Sequence, residues 1–427
     1  MGNKKRFEKD FILMVIGQII SLFGNSILRF VLSLYVLEKT HSGAVFGTIL
    51  ALSMIPSVIV SPIGGILSDR MNRRNIMVSL DFITFILVIG FTMLLGISSP
   101  ILLIGGVMII LGCIQSFYQP SVQASIPVLV KEEQLMTANG FVTQVAALAN
   151  LFGPILGGIL YAFMDITWIL VISGVCFLAS AIMECFINIP FTRKMDNNKV
   201  LYIIKNDTKE AFYFLKEDQP SLFKMLFIIA ALNLFMTALL VVGLPYMINV
   251  TLNLGSTYYG FAQAALAIGS IIGAMLSGIV SKKVTINESY LFLILSCIGI
   301  IPIAIGSFLV EAPILAYVML LIGEIACIIF TTLFSVFALT YLQKNTPNEL
   351  MGKIMALVMA ITTCAYPLGQ ALYGVLFDVF QSAVWLVILI GMILSLIVSV
   401  IAKKNLKNLR ENQPLIQDIG RLYENLE

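Results

Sequence analysis

Apolar runs of about 20 residues, each the length that crosses a bilayer as a helix, follow one another along this chain with polar breaks between them. Twelve can be read, over residues 11–37, 44–67, 76–97, 101–125, 138–164, 167–190, 222–250, 257–281, 288–310, 314–343, 351–377 and 384–402. With 59% hydrophobic and 11% charged residues, no soluble surface can be built around 427 residues. The expected fold is therefore an all-α membrane protein of twelve transmembrane helices.

The chain also says one thing twice. Gly65-Ile66-Leu67-Ser68-Asp69-Arg70 is answered 213 residues later by Gly278-Ile279-Val280-Ser281-Lys282-Lys283. At the same offset Gly47, Ala51, Ile55 and Ser57 return as Gly260, Ala264, Ile268 and Ser270, and Pro154 and Asp165 as Pro367 and Asp378. A duplicated helical unit in so apolar a chain predicts two pseudo-symmetric six-helix bundles that rock about a central site. The bundles are expected over 1–190 and 222–403, joined by a cytoplasmic loop over 191–221 and followed by a cytoplasmic tail over 404–427. In the loop, Leu201, Ile204, Phe212 and Leu215 recur at roughly helical intervals among basic residues. Two readings stand, an amphipathic helix on the inner membrane face or a solvated linker.

Lys and Arg set the orientation, because basic loops stay on the cytoplasmic side. With both termini inside, 24 of the 26 lie in inside tails and loops or at their margins, leaving Lys39 outside and Arg29 within a span. The net charge of +3 is this bias, and no nucleic-acid surface is read in it. No cleavable signal peptide and no myristoylation signal are expected at the start of the sequence. The six cysteines lie in predicted spans without metal-ligand spacing, and the single histidine, His41, sits in the first outer loop. No metal, no cofactor and no disulfide framework is expected. Nor is there a Walker loop, or a Ser/His/Asp or Cys/His constellation, so neither ATP use nor an enzyme is the expectation.

After span 2, Gly65-Ile-Leu-Ser-Asp69-Arg70-Met-Asn72-Arg73-Arg74 resembles the signature loop of the major facilitator superfamily, G-x-L-x-D-R-x-G-R-K/R, with Asn72 where a second Gly is usual. Asn tolerates a left-handed backbone better than other non-Gly residues, so a tight turn is expected to survive there. The resemblance implies a gate in which Gly65 allows close helix approach. Asp69 would meet a helix N-terminus, here the start of span 11 near Gly352, beside Arg70, Arg73 and Arg74. A bland reading, in which the arginines are topogenic charges only, stands beside it. In span 5, Ala149-x-x-x-Gly153-Pro154-x-x-Gly157-Gly158 resembles the superfamily's antiporter motif, implying a close-packed, bent hinge. The passages Gly17-Gln18, Leu37-Glu38-Lys39-Thr40, Asp69-Arg70 through Ile76-Met77 to Asp81, and Lys131-Glu132-Glu133-Gln134-Leu135 are similar to the bacterial drug exporters that include the macrolide efflux proteins. One departure is that span 4 reads Leu111-Gly112-Cys113-Ile114, where many proton-coupled members carry an Arg.

Ionisable groups deep in lipid are functional candidates by default. Asp81 and Glu184 lie near the inner ends of spans 3 and 6, where snorkelling or structural pairing accounts for them, although Asp81 is kept as a proton-coupling candidate. Glu324 and Arg29 lie deeper, at estimated depths of roughly 16 and 12 Å from the outer ends of spans 10 and 1. In the family's fold, spans 1, 4, 7 and 10 line the central cavity. On span 1, Gln18, Ser21, Asn25 and Arg29 share one stripe. Span 4 adds Gln115, Tyr118 and Gln119, and span 7 adds Asn233 and Thr237. Glu324 is read either as a proton-exchanging group tuned by Arg29 or as its partner in a static ion pair.

Together these features predict a secondary active exporter of small amphipathic or lipophilic, drug or macrolide-like compounds. It is expected to work by proton antiport with alternating access, as a monomer, multi-pass in a bacterial cytoplasmic membrane. Export of a lipid or endogenous metabolite is one rival reading, and a non-transporting membrane sensor or interaction module is another.

Overall fold

The computed structural model describes residues 2–95, 100–131, 134–190, 208–347 and 350–407. Twelve long helices account for nearly all of them, and there is no strand among the described residues. They are α1 Gly2–Thr40, α2 Gly43–Arg70, α3 Arg73–Leu94, α4 Pro100–Leu129, α5 Leu135–Phe163 and α6 Ile166–Glu184, then α7 Pro220–Thr251, α8 Ser256–Val280, α9 Tyr290–Phe308, α10 Pro313–Lys344, α11 Met351–Val379 and α12 Val384–Leu406. Eleven are long and apolar enough to cross a membrane among the described residues. The remaining one, α2, is 28 residues long and helical throughout, with side chains described only in part.

Polar caps decide where several helices begin, because the first amides of a helix have no partner within it. Ser42 accepts the amide of Val45 at the start of α2. Asp165 accepts the amide of Thr167 at 2.8 Å at the start of α6, and the Thr167 hydroxyl together with that amide holds its carboxyl below the usual carboxylate range. Asn72 accepts the amide of Arg74 at 3.1 Å and starts α3. This corrects the turn expected there: Asn72 has φ −66° and ψ 112°, so its side chain, rather than a left-handed backbone, is what the position uses.

Helices α1–α6 pack among themselves, as do α7–α12, and the two bundles meet chiefly through α2 against α11 and α5 against α8. Those two pairs are one pair under the 213-residue duplication, since α2 corresponds to α8 and α11 to α5. For convenience the ends next to the basic loops are termed inner. At the outer ends the two bundles share one apolar core, which joins Leu28, Phe46, Phe177 and Met108 to Tyr246, Tyr259, Ile300 and Phe377. At the inner ends the cores are separate. Met14, Met77, Tyr118 and Val142 form one in the first bundle, while Phe292, Phe334, Leu342 and Ile354 belong to two others in the second. Among the described residues, one apolar core thus spans the two bundles at the outer ends, while each bundle has its own cores at the inner ends.

Between the bundles, residues 208–218 form a short helix that tightens the expectation of an amphipathic segment. Ala211, Phe214 and Leu215 are buried against Leu222, Leu342 and Ile354, so this helix docks on the second bundle, while Phe212 and Tyr213 stay exposed. Glu210 pairs with Lys353 of α11 at 2.6 Å. Leu201 and Ile204 lie outside the described residues.

Candidate functional site

The small residues of α5 are spent on close contacts with two different helices. A Cβ on Gly153 would run into Ser26 of α1, and one on Gly157 would lie 2.9 Å from the Phe30 ring. Gly158 faces the other bundle, where a Cβ would lie 2.7 Å from the Ser256 carbonyl of α8. Gly260 returns the contact, with Pro154 O 2.8 Å from where its Cβ would be. Close backbone approach of this kind is what small residues allow in a membrane interface. The Gly153, Pro154, Gly157, Gly158 segment therefore sits in the bundle-to-bundle seam.

Its duplicate is the seam of α2 and α11, where Gly43 and Gly47 pack on Gly374 and Gln370. Here the structure adds a clasp. The Asp378 carboxylate accepts the Gly43 amide at 2.6 Å, the Ala44 amide at 3.0 Å and the Ser42 hydroxyl at 2.5 Å. A carboxylate at a helix N-terminus satisfies open amides and opposes the helix dipole. The equivalent Asp165 caps its own neighbour α6 instead. The sequence signal for Asp378 was its recurrence after Asp165; its amide partners, more than 330 residues away, left none.

At the inner loop, Arg73 donates to Ala124 O of α4 at 2.8 Å. Arg74 donates to the carbonyls of Glu184, at 3.3 Å, and of Cys185, closing the C-terminal end of α6. The surroundings of Gly65 and Gly352 and the side chains of Asp69 and Arg70 lie outside what the structure describes, and so does the expected contact of Asp69 with span 11.

Glu324 of α10 is 0% exposed, and neither of its carboxyl oxygens has a hydrogen-bond partner. Arg29 makes no ion pair with it among the described residues, so the static pair weighed from sequence is absent. The Arg29 Nε is likewise buried without a partner. Tyr259 of α8 stacks on Phe30 of α1, with ring centroids 4.8 Å apart.

The other polar candidates divide. On α1, both amide atoms of Gln18 and the Asn25 Oδ1 are buried without partners. Gln115 and Gln119 are half-buried on α4, whereas Tyr118 points into the first bundle and donates to Glu184 Oε1 at 2.7 Å. Ser21 donates to Asp81 Oδ1 at 3.0 Å. The sequence placed Asp81 and Glu184 apart, each within reach of headgroups, yet both are buried and they face one another's surroundings. In α7, Asn233 and Thr237 bound one wide turn, where the Ala238 amide reaches back to Asn233 O. Asn233 Nδ2 donates to Thr362 O of α11 at 3.0 Å and Thr237 bonds the Asn233 amide oxygen at 3.4 Å. Such wide turns interrupt helices most often where function needs them.

Residues 14–366 match the sequence profile of the Major Facilitator Superfamily. The chain belongs to that superfamily. Among relatives of this Major Facilitator Superfamily protein, Macrolide efflux protein A of Streptococcus pyogenes is 23% identical over 395 residues, covering 88% of this chain and 92% of that one. Enterobactin exporter EntS of Salmonella typhimurium is 24% identical over 373 residues, covering 85% and 84%. In shape, the chain resembles a bacterial homologue of the iron transporter ferroportin in its inward-facing state, with a TM-score of 0.70, 17% identity and coverage of 94% and 99%. The protein is a multi-pass membrane transporter with efflux-type relatives. Its arrangement of helices is the one that structure has.

Proposed function

We propose that this transporter exports small amphipathic or lipophilic compounds, drug or macrolide-like, in exchange for protons, with Glu324 as the coupling carboxyl. The observation that carries the reading is Glu324 itself: buried completely, deep in α10, with both oxygens unpartnered. An ionised carboxylate without a partner is strongly disfavoured in hydrocarbon, so such a group tends to be neutral when dry and to release its proton when the path to water opens. The shape supplies that alternation. The outer ends are closed by α2 on α11 and α5 on α8, while the inner cores of the described residues are separate, which supports an inward-facing state of a rocking pair of bundles. The Asp378 clasp is then the outer latch, and the loop of Gly65, Asp69, Arg70, Arg73 and Arg74 the inner one.

Native proteins leave few buried polar atoms unpaired. Asn25, Arg29 and Glu324 hold several, on the two helices α1 and α10. With Gln115, Gln119, Asn233 and Thr237 they offer a substrate a few hydrogen bonds within largely apolar walls, the composition of sites that hold lipophilic ligands by area. The similarity to Macrolide efflux protein A supports the substrate class. Placement in a bacterial cytoplasmic membrane with both termini inside, and action as a monomer, belong to the same proposal.

The similarity to an enterobactin exporter favours a second reading, export of an endogenous metabolite. Purified protein in liposomes separates the two. Under an imposed proton gradient the first reading predicts flux of a macrolide or a lipophilic cation; gradient-independent flux of all tested drugs, or none, contradicts it.

A further inference from the structure

The first bundle buries two carboxyls together where α1, α3, α4 and α6 meet. Asp81 is 2% exposed and Glu184 0%. Each has one oxygen in a hydrogen bond, Asp81 with Ser21 and Glu184 with Tyr118, and each has a second oxygen, Oδ2 and Oε2, with no partner. They share one set of neighbours: a Cβ on Gly17 would lie 3.4 Å from both Glu184 Cγ and Ser180 Oγ, four residues before the Ser21 that bonds Asp81. Neither forms an ion pair among the described residues.

The surrounding groups can be taken helix by helix. From α1 come Ser21 and Gln18, with Asp10 about two turns nearer the inner end. From α3 come Asp81 and, at its start, Arg73 and Arg74, whose guanidinium groups donate to the backbone carbonyls of Ala124, Glu184 and Cys185. From α4 comes Tyr118. From α6 come Glu184 and Ser180, which donates to Gly17 O at 2.9 Å and also faces Asp81. Gly17 makes the room, since a Cβ there would lie 3.4 Å from Glu184 Cγ. Gln18 is the second, independent sign of a ligand: it is 0% exposed, both its amide atoms lack partners, and it stands on α1 between Gly17, which abuts Glu184, and Ser21, which bonds Asp81.

Two carboxyls that share a dry site with no cation in contact cannot both hold charge. We propose that Asp81 and Glu184 form a second proton-binding site, within the first bundle and separate from Glu324, at which the pair holds at least one proton in the inward-facing shape. A proton bound there joins a carboxylate oxygen as O–H and leaves by breaking that bond, with Tyr118 and Gln18 the polar groups beside it. The site is tied to the inner loop, because Arg74 holds the carbonyl of the same Glu184. Its service in transport rests on the proton-coupled reading above; the binding itself does not.

Infrared titration of the purified protein in detergent tests it directly, through the carbonyl absorption of protonated carboxyl groups. A titrating component of that band is expected in the wild type, retained in Glu324→Gln and lost when Asp81→Asn is combined with Glu184→Gln, where the contribution of Glu324 remains. Tyr118→Phe keeps both acids and is expected to shift the band to higher frequency, because Glu184 loses its donor; this variant serves even where the double substitution does not fold. An unchanged spectrum in the double and Tyr118→Phe variants overturns the proposal, as does loss of the band on adding Na⁺ at fixed pH, which would make this a cation site. Coupled flux without the band defeats this inference alone. The band without gradient-driven flux defeats the proposed function alone.

Discussion

The carboxylate of Asp378, at the outer end of α11, accepts the amide of Gly43, at the start of α2, at 2.6 Å across the boundary between the bundles. With the Ala44 amide and the Ser42 hydroxyl it closes three open donors of one helix end. Its counterpart in the duplication, Asp165, turns to α6 instead, so the carboxylate latch is on one side; across the other seam the Ser256 hydroxyl donates to Gly158 O at 3.1 Å.

Charge-assisted bonds to helix amides are worth about 1–2 kcal/mol at a partly buried terminus. Asp378→Ala is therefore expected to shift the balance between outward- and inward-facing states about tenfold toward outward, because 1.4 kcal/mol is a factor of ten. Spin labels at Lys39→Cys and Gln381→Cys, in a background without native cysteines, would report a longer or broader outer distance. An unchanged distribution would mean that apolar packing alone shuts this end.

The other seam is governed by close approach. In Gly158→Val the added side chain meets the Ser256 carbonyl, which is backbone and cannot rotate away. The outer-closed state is expected to lose at least about 2 kcal/mol, in the range of overpacked interiors, and turnover in liposomes to fall more than about tenfold. Gly105→Ala, where a Cβ lies 3.8 Å from its nearest neighbour in this structure, is the control and is expected to retain flux.

For the helix over 208–218, apolar burial outweighs the ion pair. The side chains of Lys353 and Glu210 are 31% and 47% exposed, which leaves a pair of this kind worth about 0–1 kcal/mol. Leu215 is 0% exposed in the apolar seat formed with Leu342 and Ile354. Its replacement by Ala is expected to cost about 2–5 kcal/mol. Thermal unfolding followed by a thiol-reactive dye should thus show a clear fall for Leu215→Ala and little change for Glu210→Gln; the reverse order would make the helix electrostatically held.

The helices were legible because hydropathy and length alone decide what crosses lipid, and the duplication correctly paired α2 with α8 and α5 with α11. Azimuth was not legible. Depth along a helix placed Asp81 and Glu184 within reach of the surface, but only the packing of α1, α3, α4 and α6 turns them inward, where Gly17 leaves room for Glu184. Tyr118 was counted with Gln115 and Gln119 for the same reason, although its hydroxyl is bonded to Glu184 within the first bundle. Arg29 and Glu324 lie at similar estimated depths, and depth says nothing about lateral distance. Asn72 was read for its backbone when its side chain mattered. The Asp378 clasp relies on main-chain donors, which every sequence has and none displays.

The coupling assignment of Glu324 is tested most directly by comparing two fluxes in the same liposomes, substrate exchange with no gradient and uphill transport driven by an imposed proton gradient, in wild type and Glu324→Gln. The Gln variant keeps the shape of the side chain and removes the exchangeable proton. Exchange within about twofold of wild type, with gradient-driven transport reduced more than about a hundredfold, is the predicted result, since a lost coupling step leaves binding and rocking intact. Uphill transport that remains sensitive to the proton gradient in Glu324→Gln would contradict the account.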